Sequence, residues 1–193
     1  MTLQLTKKHS FDMVFDSQKV YRLILEAMSS PARIVQINEY ADKLYGDYPA
    51  LLAVAMTLLD NEVSFHVCGN QPFADEIASL TLAKKADIEN ADFIFTNNPN
   101  VIECAIENAK YGTLADPHKS ATVIIQNDGK PNCRLTLSGP GINGQIEVAA
   151  TQVVKDAVAM RDAQQYEYPQ GIDLLFISGA GELFAIPRLV AEV

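Results

Sequence analysis

The chain has 193 residues, 48% hydrophobic and 20% charged, the balance of an ordinary globular domain. A chain of this length buries about 70% of the surface its unfolded form exposes, so a single domain over 1–193 folds without disulfide or metal staples. Lys+Arg 15 against Asp+Glu 24 gives a net charge of -9, which repels a phosphate backbone and excludes bulk nucleic-acid binding, though not a local basic pocket.

Residues 1–14 read as a polar N-terminal extension. Its lysines precede no apolar run of signal-peptide length, and no stretch reaches the roughly 20 apolar residues of a membrane helix, so a cytoplasmic protein is expected. Asp16 or Ser17 is placed to cap a helix with Val20, Tyr21, Ile24, Leu25 and Met28 at helical spacing, and Ser29-Ser30-Pro31 ends it. Arg33 to Asn38 is β-branched enough for a strand. Pro49 opens an apolar helix from Ala50 to Leu59, stopped at Asp60-Asn61.

Glu62 to Cys68 alternates Val63, Phe65 and Val67 with Ser64 and His66, the two-residue period of a half-buried strand. After Gly69-Asn70, Pro72 begins a helix to about Lys84, followed by a strand over Ala91–Thr96 and a helix over Pro99–Lys110 that stops at Gly112. Ala121–Gln126 and Cys133–Leu137 flank Asn127-Asp128-Gly129-Lys130-Pro131-Asn132, which carries the turn chemistry of a hairpin. Ile146–Ala149 is a short strand, and Thr151 caps a helix with Val154, Val158 and Arg161 at helical offsets. Ser178-Gly179-Ala180-Gly181 joins the last two runs, Asp173-Leu174-Leu175-Phe176 and Leu183-Phe184-Ala185-Ile186, as a second hairpin. Strands alternating with helices and then two hairpins predict one three-layer α/β domain with a mixed, largely parallel sheet.

Candidate chemistry is sparse. Cys68, Cys104 and Cys133 form no Cys-x-x-Cys pair and each reads as a small packed hydrophobe. His9, His66 and His118 have no metal-ligand spacing, so no metal site is expected. Leu137-Ser138-Gly139-Pro140-Gly141-Ile142 is a tight turn whose backbone amides at Ser138, Gly139 and Gly141 could converge on an anion. It lacks the lysine and hydroxyl of a P-loop, and a sharp structural turn is the favoured reading over a phosphate cradle. Arg188 is either an anion or partner contact or the structural mate of Asp173 on the neighbouring hairpin strand. The first helix presents a wide apolar face, and the second is apolar nearly all round, which fits either an interface or a central core position.

In order along the chain, Tyr21-Arg22, Ala27-Met28-Ser29-Ser30-Pro31, Leu58-Leu59-Asp60 with Phe65, and Gly112-Thr113 to Ser120-Ala121-Thr122-Val123 are followed by Leu137-Ser138-Gly139-Pro140-Gly141-Ile142, Pro169-Gln170-Gly171-Ile172-Asp173 and Ala185-Ile186-Pro187-Arg188. In this series and spacing they resemble the PhnH family, the H subunit of the bacterial carbon–phosphorus lyase system. The chain departs from the family pattern at Ala32, where glycine is usual, at Gln170, where leucine is commoner, and at Leu189-Val190, where two threonines often follow the Pro-Arg pair.

The resemblance implies a fold similar to the large domain of pyridoxal-phosphate-dependent transferases, a homodimer when isolated, and a place in a core complex with the G, I and J subunits. That complex forms α-D-ribose 1-alkylphosphonate 5-triphosphate from ATP and an alkylphosphonate. The family supplies no catalytic residue to carry over, so a non-catalytic subunit without cofactor, nucleic acid or membrane is expected. Two other readings stand beside it: a transferase-like enzyme of the pyridoxal type, by fold analogy, and a phosphonate- or nucleotide-binding module built on Arg188 and the Ser138 turn.

Overall fold

A computed structural model describes residues 9–193. The expected N-terminal extension lies mostly outside them. The first helix, α1, spans Phe15–Ser29, and its start differs from expectation. Asp12, not Asp16 or Ser17, satisfies the opening amides, because its Oδ1 accepts from the backbone N–H of Val14 and of Phe15, both at 2.8 Å. Asp16 instead faces inward, 4% exposed, and pairs with Lys43 at 2.8 Å.

The strand expected over Arg33–Asn38 shrinks to β1, Val35–Gln36, because the chain turns at once into a short helix, α2, Asn38–Ala41. The apolar helix α3, Pro49–Leu58, buries every residue from Ala50 to Met56 and packs against α1, α2 and its successor α4, Gln71–Thr81. Its all-round hydrophobicity is therefore satisfied within this chain. Asn70 caps α4 by accepting from the Phe73 amide at 3.2 Å. Around these helices run β2, Ser64–Cys68, β3, Lys84–Lys85, and β4, Phe93–Thr96. A 3-10 turn at Pro99–Val101 leads into α5, Ile102–Asn108.

The second half supplies β5, Thr122–Gln126, β6, Cys133–Ser138, β7, Ile146–Ala150, and α6, Gln152–Ala163. It ends with β8, Asp173–Ile177, β9, Glu182–Ile186, and β10, Ala191–Glu192. Seven strands form one sheet in the order β1-β9-β8-β5-β4-β2-β3, and three more form a second sheet, β10-β6-β7. From β8 to β3 the large sheet is parallel, while β9 and β1 add an antiparallel edge. The domain is thus α/β with a mixed, mostly parallel sheet. The hairpin expected after β8 forms as read.

The hairpin expected between β5 and β6 does not form. β5 lies between β4 and β8 with both edges taken, and the Asn127–Asn132 segment carries the chain to the other sheet, where β6 pairs with β7 and β10. Val123, Ile124 and Ile125 are fully buried, as a central parallel strand covered on both faces requires. The two-residue period then divides the core. Phe95, Ile124, Leu175 and Ile177 face α1, α3 and α4, whereas Ile94, Val123, Ile125, Leu174 and Phe176 face α5, α6 and the small sheet. Among the described residues no helix is long and apolar enough to cross a membrane.

Candidate functional site

Of the candidate residues from sequence, Arg188, Asp173, Ser138 and Gly139 lie in or beside one strip of chain, Pro187–Val190, that leaves β9 and leads to β10, whereas Gly141 faces the end of α1. Antiparallel pairing sets Ile186 opposite Leu174, so Asp173, at the start of β8, meets the residues just beyond β9. Asp173 Oδ1 accepts from the Arg188 backbone amide at 2.8 Å and from its Nε at 3.3 Å, and Oδ2 accepts from Nη2 at 2.5 Å. Arg188 Nη1 donates to the Pro117 carbonyl. The Asp173 side chain is 8% exposed and that of Arg188 21%, so the pair is shielded from water and its charge-assisted bonds are of the stronger kind. The planar fork is spent on Asp173 and on the loop bearing Pro117, so the pair acts here as a cross-link between the strand start, the strip and that loop.

The Ser138 turn flanks the same strip. Ser138 pairs with Ala191 across the small sheet, and Gly139, at φ +145°, passes so close that a Cβ would stand 2.5 Å from the Leu189 carbonyl oxygen and 2.8 Å from Val190 Cα. Gly141 faces the end of α1, the Ser29-Ser30-Pro31 segment. The space beside both glycines is filled, by the backbone of Leu189 and Val190 at Gly139 and by the Pro31 ring with the Ser29 carbonyl at Gly141, so their missing side chains permit close approach of chain to chain. One residue past Pro31, Ala32 adopts φ 63°, a left-handed conformation that glycine takes without steric cost, and its amide donates to the Ala185 carbonyl at 2.9 Å. The departure at Ala32 thus falls where the backbone calls for glycine.

Arg161 is the residue sequence reasoning passed over. Periodicity sets it on the inner face of α6, and the structure buries its side chain to 1% exposure. Nη1 donates to the carbonyls of Ile186 and Pro187, both at 3.1 Å, and Nη2 to that of Val190. Asp162 Oδ1 accepts from Nε at 2.9 Å and from Nη2 at 2.8 Å, which keeps the buried charge paired. Two arginines therefore fix the strip, Arg161 through its carbonyls and Arg188 through Asp173. The only signal in the sequence was a charged residue on an otherwise apolar helical face. A shallow cavity of about 210 Å³ lies alongside, lined by Arg161, Tyr166, Tyr168, Gln170, Arg188 and Leu189 among others.

The cysteines do not all pack alike. Cys68 is buried, with its thiol pushed up to about 11 chiefly by burial, and Cys133 is half-buried. Cys104 is exposed on α5, contrary to the expectation of an inward small hydrophobe, because Ile102, Ala105 and Ile106 already supply the buried face of that helix. His66 is half-buried, with Nδ1 2.9 Å from the Ala86 carbonyl oxygen. Among the described residues, no group of three or more His, Cys, Asp or Glu side chains could hold a metal ion.

Comparison with known proteins places this architecture. The family model for the bacterial phosphonate metabolism protein (PhnH) matches residues 9–191. The chain belongs to the PhnH family. It is also similar to a protein of Stutzerimonas stutzeri named as a C-P lyase subunit, HtxG, with 27% identity over 175 residues, covering 89% of this chain and 83% of that protein. Several of the segments that resembled PhnH are neighbours in space. Ser29-Ser30-Pro31 meets Gly141, Asp173 meets Arg188, and Gln170 Nε2 donates to the Gly112 carbonyl at 3.1 Å.

Proposed function

We propose that this PhnH-family chain is a non-catalytic subunit of a carbon–phosphorus lyase core. It would act in the cytoplasm to hold together the G, I and J subunits that form α-D-ribose 1-alkylphosphonate 5-triphosphate from ATP and an alkylphosphonate. The observation that carries this reading is the family match over residues 9–191, together with a relative named as a C-P lyase subunit that aligns with 89% of the chain. The similarity to the large domain of pyridoxal-phosphate-dependent transferases belongs to the same proposal, supported by the mostly parallel seven-stranded sheet with helices on both faces.

The surface supports an assembly role. On α1 and just before it, Val14 is 70% exposed, Phe15 67%, Tyr21 47% and Leu25 49%, a grouping of large apolar side chains that a second copy or another subunit would cover. Arg188, Asp173, Ser138, Gly139 and Gly141 serve in this reading to fix the backbone of a partner-contacting end of the molecule. Co-expression of the tagged chain with the G, I and J subunits tests it. Recovery of all four in one size-exclusion peak is expected, and Tyr21→Glu with Leu25→Glu is expected to reduce recovery while circular dichroism stays unchanged. A folded chain that elutes apart from the other three overturns the reading.

A further inference from the structure

The C-terminal ends of β5 and β8 open into a cavity of about 300 Å³ between the loops that leave the two strands. A volume of roughly 300 Å³ is the lower end of the usual range for small-molecule sites. The lining combines the apolar Val154, Ile177 and Phe184 with Asp128, Lys130 and Glu182. Val154 and Ile177 are buried and Phe184 half-buried, so they make the floor, while the charged residues are exposed and form the rim.

The rim is held in shape by interactions of its own. Asp128 Oδ1 accepts from the Gly179 amide at 2.5 Å and Oδ2 from Gln126 Nε2 at 2.7 Å, tying the β5–β6 loop to the β8–β9 turn. Thr151 donates to Asn127 Oδ1 at 2.9 Å, which anchors the same loop to the start of α6. Asp128 and Thr151 are thereby spent. Lys130 and Glu182 are not: among the described residues neither side chain has a hydrogen-bond or ion-pair partner. They do not pair with each other, so their charged ends stand more than 4.0 Å apart across an apolar floor.

We propose that this cavity binds a small zwitterion in which an ammonium group and an acidic head are joined by a short alkyl spacer. Its acidic head sits at Lys130, its ammonium at Glu182, and its spacer on Val154, Ile177 and Phe184. A plain alkylphosphonate offers Glu182 only an uncharged alkyl end, and a plain alkylamine does the same to Lys130, so each makes one charged contact where the zwitterion makes two. An ω-aminoalkyl phosphonate and an ω-amino carboxylate share the required chemistry. Preference for the phosphonate rests on the proposed role in phosphonate metabolism.

Titration of the full-length chain with (2-aminoethyl)phosphonate, β-alanine, ethylphosphonate and ethylamine, followed by amide chemical shifts, tests the proposal. Saturable shifts confined to residues 127–131, 150–154 and 177–184 are expected with a zwitterion, with ethylphosphonate and ethylamine at least about tenfold weaker. Tighter binding of (2-aminoethyl)phosphonate identifies the phosphonate source, and tighter binding of β-alanine the carboxylate source. Lys130→Met and Glu182→Gln, both at exposed positions, are expected to weaken the zwitterion about tenfold at unchanged Tm. No saturable shift with either zwitterion overturns the site, as does equal binding of ethylphosphonate or unaltered affinity in both variants. The titration needs no partner subunit, so a flat result beside successful co-purification removes this site and leaves the assembly role standing.

Discussion

Gly141 stands so close to Pro31 that a Cβ at the glycine would lie 2.8 Å from the proline Cδ, with the Ser29 carbonyl oxygen at the same distance. The turn after β6 and the end of α1 thus meet at a point that only glycine fits. Gly141→Ala meets both this clash and an unfavourable φ of +87°, and is expected to cost about 2–4 kcal/mol. Gly144 has φ +79° but nothing within 4 Å of the added carbon, so Gly144→Ala is expected to cost only about 1 kcal/mol. Urea denaturation of the two variants side by side checks the difference, and equal midpoints would show that the contact with Pro31 is not tight.

Removing the Arg161 guanidinium strands three carbonyls and the Asp162 carboxylate at once. Arg161→Ala is expected to lose about 3–5 kcal/mol, the range for breaking a buried charge pair. Arg161→Lys restores little of it, because a single ammonium cannot reach carbonyls and carboxylate in the fork geometry. Chemical denaturation measures both. Near-wild-type stability in the lysine variant would show that charge alone suffices there.

At Ala32 the expected sign is reversed. A left-handed alanine carries about 1 kcal/mol of steric cost that glycine relieves, against about 0.4–1 kcal/mol of unfolded-chain entropy that glycine adds. Ala32→Gly should therefore leave the Tm unchanged or slightly raised. Ala159→Gly, on the exposed face of α6, should lower stability by about 1 kcal/mol. A loss at position 32 equal to that at 159 would contradict the φ of 63°.

Acid sensitivity follows from two carboxylates. Burial works to raise Asp16, but the Asp12 amide and the Lys43 ammonium outweigh it and hold its carboxyl below the ordinary value of 3.8. Asp92 is lowered in the same way, with burial opposed by Lys110 at 2.5 Å and by the Ser64 hydroxyl and amide. A folded-state pKa below the unfolded one gives stability that is complete above the unfolded value and is lost as pH falls through the folded value. Stability is thus expected to decline below about pH 4. Asp16→Asn and Asp92→Asn should each lower stability at neutral pH and flatten that decline. An unchanged acid slope in the double variant would assign it to other groups.

Thiol reactivity separates the cysteines. Cys104 is exposed, whereas Cys68 is buried with its thiol held to about 11, so the reactive thiolate is scarce there near neutral pH. Titration of the native protein with a chromogenic disulfide reagent should show a fast phase that Cys104→Ser removes, with Cys68 reacting only after unfolding. Persistence of the fast phase in Cys104→Ser would reverse the assignment.

Much of the fold could be read from periodicity, and the failures share a cause. The alternation of β2, the Pro-led starts of α3 and α4 and the β8–β9 hairpin are local features, fixed by residues within one element or its cap. The misread Asn127–Asn132 segment has equally good turn chemistry, but the fully buried Val123-Ile124-Ile125 run demanded a partner on each edge, and that demand is non-local. α1 begins earlier than expected because Asp12 reaches forward to two amides, a choice that the equally suitable Asp16 and Ser17 concealed. The Asp173–Arg188 pairing was one of two open readings, and strand register decides its geometry. Arg161 stayed hidden because, Asp162 apart, its partners are the backbone carbonyls of Ile186, Pro187 and Val190, and these leave no mark on a sequence.

The strip Pro187–Val190 joins β9 of the large sheet to β10 of the small one, with the Arg161 guanidinium on carbonyls at both its ends and Arg188 tying its middle to Asp173. A tilt of the small sheet that displaced this strip would strain charge-assisted bonds on both arginines at once, so β10 and the start of β8 share one set of anchors.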